Sequence, residues 1–120
     1  MGRVYIVEDE ALVAMLIEDM VTELGHEVVG MARSLGEALL AAPDIQCDIA
    51  LLDINLNGQR SFPVAQALAE RGIPFLFASG YGAAGLEEGF LDRPILSKPF
   101  SISQLEKTIQ VCFGQQPATF

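Results

Sequence analysis

Short, unbroken apolar runs punctuate the chain, and stretches with helical periodicity separate them. Val4-Tyr5-Ile6-Val7, Ile49-Ala50-Leu51-Leu52 and Phe75-Leu76-Phe77-Ala78 are continuous; Val28-Val29-Gly30-Met31 is weaker, and Ile95-Leu96-Ser97 closes the series. Continuous apolarity, rather than strict alternation, predicts parallel strands covered by helices on both faces. The first helix is predicted to bury Leu16, Met20 and Leu24, to turn Glu18, Thr22 and Glu23 away, and to end at Gly25. A second opens at Ser34 with Glu37 three residues on, a capping box, and stops before Pro43. The third follows Ser61, with Pro63 in its first turn and Gly72 past its end. The last starts at Ser101 with Gln104 in the reciprocal capping position, and is predicted to bury Ile102, Leu105, Ile109 and Cys112. Between the third helix and the last, residues 80–89 carry Gly80, Gly82, Gly85 and Gly89. Each interior glycine costs a helix about 1 kcal/mol relative to alanine, so any helix there should be short, marginal and mobile. The tail, 114–120, is expected to fray.

Strand and helix alternate about five times, which predicts a three-layer α/β sandwich. Right-handed crossovers leave few topologies, and the flavodoxin-like order 2-1-3-4-5 is favoured for a five-stranded parallel sheet. With 120 residues and no repeat or linker, the expectation is one domain over 1–120, its core about 3–113. The longest apolar run, 11–17, falls well short of the ~20 residues that span a bilayer. Glu8, Asp9 and Glu10 interrupt any signal-peptide pattern, so a cytoplasmic protein with no membrane partner is expected. Net charge is −9, and seven scattered Lys and Arg against sixteen acids form no basic stripe, which excludes direct nucleic-acid contact. Cys47 and Cys112 lack C-x-x-C spacing, and one His with two distant Cys cannot form a zinc site. Both are expected to be buried, reduced thiols.

In such a sheet, ligands bind beyond the carboxyl ends of the strands. Glu8 and Asp9 follow the first strand; Asp53, then Asn55 and Asn57-Gly58, follow the third. Ser79-Gly80 ends the fourth and Lys98-Pro99 the fifth. Taken singly, an acid after a strand is usually a solvated loop residue or a helix cap, and Ser79 could simply cap a helix. Five suitable residue types at four strand ends are a different matter. Clustered carboxylates repel one another and require a cation, and hard oxygens suit Mg²⁺. Such a metal neutralises phosphoryl oxygens while Asp53 attacks in line; Lys98 and Ser79 suit the remaining oxygens.

Val7-Glu8-Asp9-Glu10, Leu51-Leu52-Asp53-Ile54-Asn55-Leu56, Phe77-Ala78-Ser79-Gly80 and Ser97-Lys98-Pro99-Phe100 together resemble the response-regulator receiver (CheY-like) family, from Val4 to about Phe113. The resemblance implies phosphorylation of Asp53 by a histidine kinase or histidine phosphotransferase. It implies Mg²⁺ held by Asp9, by Glu8 directly or through water, by Asp53 and by the backbone carbonyl of Asn55. Ser79 would be the switch hydroxyl and Lys98 the phosphate-sensing ammonium, aimed inward by a cis Lys98–Pro99 bond. Receivers usually carry Tyr or Phe three residues before the lysine, where this chain has Ile95. The segment 77–82 is similar instead to the alphaproteobacterial FAT GUY subgroup, with Ser79 for its usual Thr. Tyr81 is therefore a second candidate switch residue, and its alternative role is to anchor a loose loop. The output is expected to pass to an unidentified protein, and self-association as a homodimer is left open.

Three rivals are weaker. Gly80-x-Gly82-x-x-Gly85 has dinucleotide-binding spacing, but no acid ends the following strand and too little chain remains. A haloacid-dehalogenase-type hydrolase places a second Asp two residues after the nucleophile; Asn55 stands there and cannot act as that acid. The expected protein is a phosphoacceptor rather than a metabolic enzyme. The alternative is a pseudo-receiver that binds protein without phosphorylation, against which the complete set of acids, Ser and Lys argues.

Overall fold

The continuous apolar runs turn out to be two interleaved faces. The computed structural model describes residues 2–80 and 86–114. Its parallel sheet contains β1 (Arg3–Val7), β2 (Glu27–Ala32), β3 (Ile49–Asp53), β6 (Phe75–Ser79) and β7 (Ile95–Ser97), in the order β2-β1-β3-β6-β7. This is the expected flavodoxin-like order. The two labels skipped in the sheet belong to a short antiparallel hairpin, β4 (Asn55–Leu56) and β5 (Gln59–Arg60), which the apolar pattern did not predict. Four helices complete the layers: α1 (Ala11–Glu23), α2 (Leu35–Ala41), α3 (Phe62–Glu70) and α4 (Ile102–Gly114).

Successive side chains on a strand point to opposite faces, so each central strand feeds two cores. Tyr5, Val7, Ala50, Leu52, Phe75 and Phe77 meet Ala38 of α2 and Val64, Ala65 and Leu68 of α3. On the other face Val4, Ile6, Ile49, Leu51, Leu76 and Ala78 meet Ile17 and Val21 of α1 and Leu105, Ile109 and Cys112 of α4. Neither face is left to water, and alternation therefore vanished from the sequence. Strand β2, at one edge, is only partly buried, matching its weaker signal.

The helix boundaries follow their punctuation, with corrections in detail. In α1 the buried residues are Ala14, Ile17 and Val21, flanked by the half-buried Met20 and Leu24. Leu16, expected in the core, is 58% exposed alongside Leu12 and Met15. Spacing of three and four from Ala14 sets the true stripe, and Leu16 lies one residue, about 100°, off it. Ser34 Oγ accepts the Glu37 N–H at 3.1 Å, but the Glu37 carboxylate reaches back to the Arg33 N–H, one residue beyond the reciprocal position. Pro43 falls within a 3₁₀ turn, Ala42–Asp44, that extends α2. The capping box of α4 is reciprocal: Gln104 N–H donates to Ser101 Oγ at 3.1 Å and Ser101 N–H to Gln104 Oε1 at 2.8 Å. Ile102 is only half-buried. Gly25 and Gly72 both adopt positive φ just past their helices.

Cys112 is buried and Cys47 half-buried, and both are free thiols. Part of the glycine-rich segment is a 3₁₀ turn, Glu88–Phe90. Tyr81 and the rest of 81–85 lie outside the described residues, as does the predicted fraying at 115–120. Among the described residues no helix is long and apolar enough to cross a membrane.

Candidate functional site

Five backbone segments deliver the polar groups to one edge of the sheet. Strand β1 ends at Val7, so Glu8, Asp9 and Glu10 occupy the turn into α1. Asp53 is the last residue of β3 and Ser79 the last of β6. Lys98 follows β7 directly, and its bond to Pro99 is cis. The fifth segment is the β4–β5 hairpin. Together, Asp9, Glu10, Asp53, Ile54, Asn55, Gly58, Arg60, Ser79, Gly80 and Lys98 line an open cleft of about 730 Å³.

Lys98 organises the inner wall. Its Nζ lies 2.9 Å from Glu8 Oε2 and 3.1 Å from Asp53 Oδ2, so one ammonium bridges two buried carboxylates. Glu8 is wholly buried, and its other oxygen accepts the Glu10 N–H at 3.3 Å. Burial pushes the Glu8 carboxyl up to about 7; the Lys98 hydrogen bond opposes this and the Asp53 charge adds to it. The Asp53 carboxyl is likewise raised by burial, with Lys98 pulling against it. For Lys98, burial disfavours the ammonium, but the hydrogen bond to Glu8 and the Asp53 charge prevail and hold its pKa above the ordinary value. Asp9 goes the other way. Burial would raise it, but hydrogen bonds from the Glu8 carboxyl and the Asn57 N–H overcome that and hold it below the usual carboxylate value.

The hairpin is what sequence reasoning missed, although Asn57-Gly58 is a strong two-residue turn signal. Asn57 at φ 54° and Gly58 at φ 85° form the turn, and the Gly58 N–H donates to Asn55 Oδ1 at 2.8 Å. The folded-back ribbon sends the Asn57 N–H to Asp9 Oδ2 at 3.0 Å, so the loop after β3 holds the acid after β1. Asn55 contributes its own N–H to Asp53 Oδ1 at a long 3.4 Å. Arg60, at the far end of the ribbon, was also absent from the sequence reading.

Carboxylate oxygens of Glu8, Asp9 and Glu10 can lie within 4.8 Å of one another. Glu10 is exposed and was not expected in this group. The donor set is entirely hard oxygen, with Asp53 on the same cleft, and its like charges outnumber the one ammonium among them. That chemistry fits a small divalent cation such as Mg²⁺ rather than a soft metal.

Comparison with known proteins agrees with this arrangement. The family model described as response regulator receiver domain matches residues 4–110. The transcriptional regulatory protein PdtaR of Mycobacterium tuberculosis is 32% identical over 94% of this chain and 57% of its own length. The phyllosphere-induced regulator PhyR of Methylorubrum extorquens is 34% identical over 97% of this chain and 45% of its own length. The chain thus spans about half the length of these curated relatives. Among solved structures, SdrG from Sphingomonas melonis Fr1 superposes with a TM-score of 0.83 at 40% identity, covering 94% of this chain and 97% of that one. The receiver domain of Erythrobacter litoralis PhyR gives 0.82 at 29% identity, covering 99% and 95%. A matched stretch of this extent, on a sheet whose carboxyl edge gathers Glu8, Asp9, Asp53, Ser79 and Lys98, means that the chain belongs to the response-regulator receiver family of bacterial two-component signalling.

Proposed function

We propose that this receiver accepts a phosphoryl group on Asp53 from a histidine kinase or histidine phosphotransferase, and thereby changes a surface read by another protein. The observation that carries the reading is the Lys98 ammonium bridging Glu8 and Asp53 at 2.9 and 3.1 Å at the wall of a cleft otherwise rich in carboxylates. A phosphorylated Asp53 keeps that cation as a partner. Ser79, buried at the end of β6 and lining the cleft, supplies a hydroxyl to a phosphoryl oxygen.

Glu8, Asp9, Asp53 and the Asn55 carbonyl would hold Mg²⁺, and Ser79 would act as the switch hydroxyl. The ion supplies charge neutralisation for the phosphoryl oxygens. Asp53 forms the new P–O bond as the donor's P–N or P–O bond breaks, and solvent protonates the departing group. Neither step needs a general acid from the protein, which agrees with Asn55, rather than a second acid, two residues after Asp53. The protein's own part is to set Asp53 beside Lys98 and to fix Asp9 through the Asn57 N–H.

The output reading rests on charge and relatives. A net charge of −9 favours a protein partner over DNA. PhyR from Bartonella quintana, 31% identical over 94% of this chain, is described as an anti-anti-sigma factor, and the match covers 47% of that chain. An output through capture of a partner protein, in the cytoplasm, is the form of the proposal this supports.

The test is intact mass after treatment with acetyl phosphate and Mg²⁺. An adduct of about 80 Da, absent in Asp53→Asn, is expected. No adduct on the unmutated chain with small donors or kinase would favour the pseudo-receiver instead.

A further inference from the structure

We infer that Arg60 is a second phosphate-recognising side chain of this cleft, working alongside Lys98; the inference rests on the reading of Asp53 as phosphoacceptor. It starts from strand register. Asn55 and Arg60 are directly paired across the β4–β5 ribbon. Directly paired residues carry their side chains on the same face, with Cβ atoms about 4.5–5.5 Å apart. Asn55 stands two residues past Asp53 and donates its N–H to Asp53 Oδ1, so its partner across the ribbon is brought beside the phosphoacceptor. Asn55 and Arg60 both line the cleft with Asp53, Ser79 and Lys98. Among the described residues that line it, Lys98 and Arg60 are the cations.

Charge gives this placement its use. Phosphorylation replaces one carboxylate charge by a group carrying about −1.5 to −2. Lys98 is already shared between Glu8 and Asp53. Its ammonium acts as a point charge, whereas a guanidinium presents a planar fork that engages two phosphoryl oxygens at once. The two-residue turn at Asn57 and Gly58 makes the ribbon stiff enough to aim such a side chain. Arg60 itself is exposed, so replacing it removes a charge without opening a core.

The experiment compares the unmutated chain with R60A and R60K, titrating beryllofluoride in saturating Mg²⁺ by NMR and measuring initial acetyl phosphate labelling by intact mass. R60A is expected to raise the half-saturating beryllofluoride concentration on the order of tenfold, what one charge-assisted hydrogen bond contributes. R60K should recover part of the loss. Mg²⁺ affinity without the anion, and the melting temperature, should stay unchanged. R60A titrating like the unmutated chain overturns the inference and leaves Asp53 as phosphoacceptor intact. Loss of Mg²⁺ affinity in step with beryllofluoride affinity overturns it too, because the arginine would then serve only to shape the hairpin. If the unmutated chain takes neither acetyl phosphate label nor beryllofluoride, both readings fall together.

Discussion

Glu8 shows how a functional acid weighs on the fold that carries it. It is wholly buried, and burial raises its carboxyl from 4.5 to about 7 despite the Lys98 hydrogen bond. The folded chain therefore keeps a proton that the unfolded chain releases between those values. Metal-free stability should be highest below about pH 4.5 on this account, fall as pH rises through 7, and level off above it. Asp53 is shifted in the same direction and adds to the slope, while Lys98, raised above 10.5, keeps its own contribution throughout this window. Glu8→Gln should flatten part of that slope and stabilise the metal-free protein at pH 8 by on the order of 1–3 kcal/mol, since an uncharged isostere avoids the cost of burying a charge. It should also weaken Mg²⁺ binding. Thermal unfolding across pH and a Mg²⁺ titration measure the two effects; a variant less stable at pH 8 would show that the Lys98 pair outweighs desolvation. Residue identities at this edge were legible in the sequence, because strand ends mark themselves. Their protonation was not: it depends on how deeply Glu8 sits, which no motif encodes.

At the scale of elements, legibility followed signal length. Four helices declared themselves through caps and glycines, and both capping boxes form hydrogen bonds at their N-termini. The stripe of α1 was misread, because Leu12, Val13, Ala14, Met15, Leu16 and Ile17 are all apolar and periodicity cannot choose among adjacent positions. Only packing against β1 and β2 decides that Ala14 and Ile17 go in and Leu16 stays out. The hairpin was missed for the opposite reason. Two-residue strands carry no apolar pattern, and the turn dipeptide was its only mark. Gly58 at φ 85° tests what the hairpin does. Gly58→Ala should cost roughly 1 kcal/mol by forcing a side chain into the left-handed region, and should loosen the Asn57 N–H from Asp9. Mg²⁺ affinity should drop several-fold with it. Gly36→Ala, in α2 with open space around the new methyl, should instead raise stability by roughly 0.5–1 kcal/mol and leave Mg²⁺ binding alone. Equal Mg²⁺ affinities in the two variants would separate the hairpin from the site.

For the whole molecule, the architecture explains why like charge gathers at the site. Two apolar cores sandwich a sheet whose carboxyl edge concentrates acids in one place, and the order β2-β1-β3-β6-β7 puts the strands bearing Glu8, Asp53 and Ser79 side by side. Lys98 offsets part of the repulsion among those acids by pairing with Glu8 and Asp53. A divalent cation bound there would relieve it in the folded state and find no such cluster in the unfolded chain. Binding confined to the folded state stabilises by mass action, about 2.7 kcal/mol at a hundredfold excess over the dissociation constant. The melting temperature should therefore climb with Mg²⁺ and fall back on chelation with EDTA. Asp9→Asn should abolish the climb and melt slightly lower than the unmutated chain in EDTA, since the fold favours the Asp9 anion through hydrogen bonds that include the Asn57 N–H. Calcium, with more ligands to satisfy, should substitute poorly at a site offering few protein oxygens. Differential scanning fluorimetry across a Mg²⁺ series reads all three. A melting temperature indifferent to Mg²⁺ into the tens of millimolar would mean that the protein's own cations and hydrogen bonds balance the acids, and the metal-dependent reading of Asp53 would lose its physical basis.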